Sequence, residues 1–162
     1  MTLFEDAVQK LKKNHYSVTK ERQAVIRAMT AHLYECLTIH EIYVYSADLL
    51  PSISVPTVYR GVSLFCALHI LRRLQFNMQH SYYELIGSEE NENHPYCICR
   101  RCGRILGIFD PRVLEIFSVC KQKIDDSYNF RIESTNLIYY GLCKTCEQQE
   151  KHKINSKGGE SM

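Results

Sequence analysis

The feature that most constrains this chain is a pair of pairs. Cys99-x-x-Cys102 and Cys143-x-x-Cys146 set four thiols in two short hairpins separated by forty residues. Two such hairpins can present four thiolates tetrahedrally to one Zn²⁺, at Zn–S distances of about 2.3 Å. Zinc bound there would pin the two ends of a small α/β unit and contribute directly to its stability. Gly103 follows the first pair, where a tight turn lets amides approach the sulfurs, and Arg100 and Lys144 flank the pairs with positive charge. One pair alone would leave a redox-active dithiol open. Two pairs in a chain without an export signal favour structural zinc.

Composition sets the remaining bounds. Of 162 residues, 45% are hydrophobic and 23% charged, ordinary values for a globular chain. The longest apolar stretch lies around Leu64–Leu71 and is interrupted by His69, well short of the roughly 20 residues of a spanning helix. Met1 to Lys13 has charges spread through it and does not read as a signal peptide. A soluble, cytoplasmic protein is expected. Net charge is +2, with +3 on residues 1–75 and −1 on the rest. A mildly basic first half is compatible with a phosphate backbone, and no more than that.

The polar run at residues 87–93 divides the chain. Residues 1–86 are expected to form one domain and residues 94–148 a second, with a disordered tail over 149–162. In the first domain, Phe4, Val8 and Leu11 recur at helical spacing. Thr19 can cap a second helix running to about Thr30. Thr38-Ile-His-Glu41 is a capping box for a short third helix to about Ala47. Ser54 is expected to cap a fourth, Val55 to about Leu68, with Pro56 tolerated in the first turn. Ile70–Phe76 and Ser81–Ile86 then read as strands of a hairpin with its tip at Asn77-Met-Gln-His80. This is the outline of a winged helix-turn-helix. Between the cysteine pairs, Ile105–Phe109 reads as a strand, Pro111–Ile124 as a helix and Phe130–Tyr140 as a second strand. The fold class is α+β.

The fourth helix opens Ser54-Val-Pro-Thr-Val-Tyr-Arg60. Recognition helices place polar and aromatic residues such as Thr57, Tyr59 and Arg60 in the major groove. Arginine there can read guanine through two hydrogen bonds, and tyrosine or threonine can touch a phosphate or a thymine methyl. A solvent-exposed helix with a partly buried tyrosine fits the same residues. Arg72 and Arg73 can grip phosphates or form a solvated strand edge. No Gly-rich phosphate loop, Ser/His/Asp arrangement or paired-carboxylate cleft suggests an enzyme.

The motifs Leu37-Thr-Ile-His-Glu-Ile-Tyr43, Ser54-Val-Pro-Thr-Val-Tyr-Arg60, Ile70-Leu-Arg-Arg-Leu74, Cys99-Arg-Arg-Cys-Gly103 and Tyr140-Gly-Leu-Cys-Lys-Thr-Cys146 follow one another. In that order they resemble the ferric uptake regulator (Fur) family, over residues 15 to 148. The resemblance implies a homodimer whose N-terminal winged helix binds double-stranded DNA and whose C-terminal α/β domain dimerises. It implies a structural zinc on Cys99, Cys102, Cys143 and Cys146, and DNA contacts from Arg22, Thr57, Tyr59 and Arg60. The implied function is a transcriptional regulator, expected to be a repressor on a pseudo-palindromic operator, responding to a metal ion or to thiol redox state.

The family's sensing site takes a histidine before the third helix, a carboxylate after the wing, a His-x-His ahead of the first cysteine pair and often a further carboxylate. Cys36, Glu84, His94 with Tyr96, and Gly107 stand at those positions. At the family's additional site Asn93, Pro95 and Thr135 replace ligands and Glu115 remains. Three readings stay open. A second, regulatory divalent ion is held by Cys36, Glu84 and His94, with His80 or Cys97 completing the set. Alternatively Cys36, Cys66, Cys97 or Cys120 is a thiol switch. Or these cysteines are small buried hydrophobes. The competing functions are a zinc-stapled protein-interaction module that no longer binds DNA, and a CxxC thiol oxidoreductase.

Overall fold

A computed structural model describes residues 2–76, 80–86 and 94–157, the last seven by backbone alone. The chain divides into two compact units, Met1–Asn91 and Glu92–Met162. Residues 87–93 and the hairpin tip at 77–79 lie outside the described residues.

The first unit contains α1 (Leu3–Lys13), α2 (Lys20–Ala31), β1 (Leu37–Thr38), α3 (Ile39–Leu49), α4 (Val55–Ala67), β2 (Leu71–Leu74) and β3 (Tyr82–Leu85). Its helices start where capping chemistry places them. Thr2 and Thr38 each accept from the amide three residues on, while Glu5 and Glu41 return to the threonine amides as capping boxes. Thr19 accepts from the Arg22 amide. The helices α1 and α4 end alike. His15 and His69 take left-handed φ values of 61° and 50°, and the next amides, Tyr16 and Ile70, reach back to Leu11 and Phe65 at 2.9 and 2.8 Å. This is the Schellman closure, usually made by glycine. Both histidines are therefore turn residues. Leu11, Met29, Ile42, Val58 and Phe65 are fully buried between the helices.

The wing is a three-stranded antiparallel sheet in the order β1-β3-β2. Strand β1 has no counterpart in the expected hairpin. It is two residues long, and its pairs Leu37–Tyr83 and Thr38–Tyr82 tie the start of α3 to the wing. A two-residue strand has no periodicity to detect.

The second unit contains β4 (Tyr96–Cys99), β5 (Ile105–Gly107), α5 (Pro111–Tyr128), β6 (Ile138–Gly141) and α6 (Lys144–Lys157). Its sheet runs β5-β4-β6, with β4 antiparallel to β5 and parallel to β6. The helix α5 continues four residues past Ile124, to a left-handed Asn129. The strand expected over Phe130–Tyr140 is confined to its last third, because only Ile138–Gly141 finds a partner in β4. The tail expected to be disordered from residue 149 instead continues α6 to Lys157. Glu147-Gln-Gln-Glu150 are all good helix formers, and polarity alone does not imply disorder. Residues 158–162 lie outside the described residues. Among the described residues, no helix is long and apolar enough to cross a membrane.

Candidate metal centre and nucleic-acid interface

In the second unit the four cysteines converge. Cys99 closes β4, Cys102 sits in the following turn, Cys143 follows β6, and Cys146 lies in the first turn of α6. Parallel pairing of β4 with β6 brings Cys99 opposite Gly141, two residues before Cys143. Gly103, at φ 76°, reverses the chain behind the first pair. All four Sγ atoms lie within 4.8 Å of one another, and those of Cys102 and Cys143 are 3.8 Å apart. Four thiolates at 2.3 Å from zinc have sulfur–sulfur edges of about 3.8 Å, so the donor set fits a tetrahedral zinc ion. Within either unit this is the one such group of three or more His, Cys, Asp or Glu among the described residues.

Electrostatics favour the same use. The amides of Cys102 and then Cys143 hold the Cys99 thiol down to about 6. The Cys146 amide lowers Cys143, whereas burial pushes the Cys146 thiol up to about 12. Zinc held by these four residues would supply the charge that ionises Cys146, with release of its proton. A dithiol oxidoreductase needs one accessible pair. Here each pair faces the other.

Charge balance differs from the sequence expectation. Arg100 lies over the Tyr140 ring, 5.5 Å from its centroid. The neighbouring Arg101 crosses the site instead, and its Nη1 donates to the Cys146 carbonyl at 2.9 Å. Residue type alone could not rank two adjacent arginines.

In the first unit, α4 buries Val58, Val62 and Phe65 and exposes Tyr59 and Arg60. Arg22, Thr57 and Arg60 line one cleft between α2 and α4, beside Thr19 and Glu21. Arg22 is held there by the Ser17 carbonyl and the face of Tyr16. Ser54 occupies the N-cap, but among the described residues its side chain caps no amide. Its hydroxyl meets Thr57 Oγ1 at 2.9 Å, and Arg60 Nη2 donates to that same oxygen at 3.2 Å. The hydroxyl expected to cap the helix thus helps place Arg60. Of the two wing arginines, Arg72 is paired with buried Glu84 at 3.2 Å, and Arg73 donates to Ser81 at 3.0 and 2.8 Å.

The residues nominated for a regulatory ion fall in both units. Cys36 and Glu84 meet in the first, where the thiol donates to Oε2 at 3.7 Å and both residues are buried. Burial and then the Glu84 charge push the Cys36 thiol well above its ordinary value, and burial raises Cys66 as well. A protonated thiol is a poor nucleophile, so neither has the character of a redox sensor. Cys97 is half-buried in β4 and Cys120 is exposed on α5. His94 lies in the second unit, buried, with its ring centroid 4.1 Å from Phe109 and 4.6 Å from Tyr96. A Cβ on Gly107 would fall 2.5 Å from Phe109 Cε2 and 3.0 Å from His94 Nε2. The Phe109 ring therefore fills the space a side chain at 107 would take. His80 is exposed in the first unit.

Comparison with known proteins bears on the chain as a whole. The model of the ferric uptake regulator family matches residues 13–140. The peroxide-responsive repressor PerR of Staphylococcus saprophyticus is 28% identical over 146 residues, covering 90% of this chain and 92% of that protein. Its Staphylococcus aureus counterpart is 27% identical, with the same 90% and 92% coverage. Among solved structures, the Vibrio cholerae ferric uptake regulator is 25% identical, with a TM-score of 0.62 and coverage of 83% and 98%. A zinc-bound manganese uptake regulator superposes with a TM-score of 0.68 at 23% identity, covering 85% and 98%, a likeness of fold.

Proposed function

The chain belongs to the ferric uptake regulator family, and on that premise we propose that it is a cytoplasmic homodimeric repressor that binds pseudo-palindromic DNA and responds to a divalent metal. The observation that carries this reading is the gathering of Arg22, Thr57 and Arg60 in one cleft at the start of a helix-turn-helix second helix. Phosphate contacts there would set register, and Tyr59 and Arg60 would meet base edges. The relatives in Staphylococcus are named as repressors, which supports repression over activation.

Homodimerisation rests on α5. Among the described residues none of this 18-residue helix is buried, and Ile116, Val119 and Tyr128 are 66%, 50% and 77% exposed. Apolar side chains this exposed on one helix are suited to burial against a second copy. For metal response, the Cys36–Glu84 contact supports a pair of ligands in the winged-helix unit, which a metal ion would engage by displacing the thiol proton and the Arg72 pairing. A thiolate in place of histidine favours zinc or another soft ion over iron. That makes peroxide sensing through iron a poor fit here.

The test is DNA binding by the zinc-loaded chain to its own promoter region, titrated with divalent metals. Nanomolar, salt-dependent binding is expected, lost in Arg60→Ala and stripped of its metal response in Cys36→Ser. Absence of binding under every metal and redox condition would sink the reading in favour of a zinc-stapled interaction module.

A further inference from the structure

The two cysteine hairpins are joined by bonds that need no metal. The first hairpin closes on itself through the Gly103 amide and the Cys99 carbonyl at 2.9 Å. It meets the second through the Arg100 amide and the Gly141 carbonyl at 2.8 Å, and through the Cys143 amide and Cys99 Sγ at 3.3 Å. Both of those donors are backbone groups, available to any residue in that register. The third link depends on one side chain. Arg101 sits between the cysteines of the first pair, and its guanidinium reaches the carbonyl of the last cysteine of the second pair at 2.9 Å, forty-five residues away. It ties the first pair directly to the second.

Its charge has the right sign as well. Four thiolates on one dication leave two excess negative charges, and a guanidinium beside them is favourable while its fork fixes geometry. The anchored residue also matters. Cys146 is buried while Cys102 is exposed, so an ion leaving toward solvent must part from Cys146 and its helix. Loss of a group that holds a ligand in place typically costs about 10–100-fold in metal affinity.

We infer that Arg101 is a positioning residue of the zinc centre, holding the second cysteine pair against the first and so setting how long the ion is retained. This rests on the four-thiolate zinc site and is independent of the regulatory reading.

The experiment follows zinc release from the full-length, zinc-loaded chain into excess chromophoric chelator. Arg101→Ala should release zinc about ten-fold faster than wild type, and Arg101→Lys, which keeps charge but loses the fork, should fall between. Arg112→Ala removes an exposed charge from the same unit, paired only outside the centre with Asp110, and should match wild type. The Co²⁺-loaded Arg101→Ala chain should retain the thiolate charge-transfer and ligand-field bands of a tetrahedral four-sulfur site. Wild-type release rates in both Arg101 variants overturn the inference. So does equal acceleration in Arg112→Ala, which would make the effect one of general charge, or loss of the Co²⁺ bands, which would make Arg101 a builder of the site. Should Arg101→Ala fail to fold, Arg101→Lys decides alone: faster release supports, an unchanged rate overturns. A wild-type chain that carries no zinc would remove the centre and the inference together.

Discussion

The two units reach a stable fold by different routes. The first buries a continuous apolar cluster, from Ala7 and Leu11 in α1 through Met29, Ile42 and Phe65 to Leu85 in the wing. A threonine caps the start of α1, α2 and α3, and left-handed turns close α1 and α4. The second has few buried side chains among the described residues, chiefly His94, Tyr96, Cys99, Ile105 and Cys146, two of them zinc ligands. Its longest helix contributes none. Small units that cannot bury enough apolar surface draw on metals or oligomerisation. Here the four-cysteine site and the helix proposed to dimerise fall in the same half of the chain, and the half proposed to bind DNA has an apolar core of its own.

Zinc removal should separate the units most sharply. Stripping the ion with a strong chelator is expected to abolish hydrogen-exchange protection in β4 and β6 while the α2 and α4 amides stay protected. Equal loss in both would end the contrast. Side-chain truncation gives the next largest effect. Phe65→Ala empties the centre of the first unit, where Phe65 is fully buried, and should cost about 3–5 kcal/mol in denaturant titration. Ile116→Ala, at an exposed α5 position, should leave the stability of the separated chain unchanged and weaken self-association in sedimentation. If Ile116→Ala instead destabilises the lone chain, α5 is packed within its own unit. The smallest effect is at Gly61. A Cβ there would meet Phe65 and Val25 at 3.9 and 4.0 Å, ordinary contact distances. Gly61→Ala should therefore raise stability by about 1 kcal/mol, read as a higher midpoint, by removing a glycine from a helix interior. A lower midpoint would show that the α2–α4 packing has no room to give.

What was legible in the sequence follows the same division. Helical period, threonine caps and the wing hairpin are local signals, and α1 to α4 lie close to where those signals place them. The four thiols were legible because metal geometry imposes spacing. The differences at the metal centre are long-range, and those at the helix ends are local. Strand β4 has no clear local signal in Tyr96-Cys-Ile-Cys99, since its pairing with β6 depends on residues about forty positions away. Ser54 looks like a cap by type, yet its hydroxyl turns to Thr57. Arg101 and Arg100 are indistinguishable as letters, and only the fold sends one across the centre. The helix α6 was missed because a polar run without an apolar face reads as tail.

The Phe109 ring beside Gly107 limits what can be substituted there. Where the family often carries a carboxylate, this chain has a glycine whose missing Cβ is what lets the aromatic ring sit beside His94. A single substitution that put a side chain back at 107 would collide with that ring before it could reach an ion. Residue 109 must shrink or turn away for residue 107 to carry a side chain. A ligand introduced at 107 alone would therefore gain nothing for metal binding until the ring beside His94 had also moved.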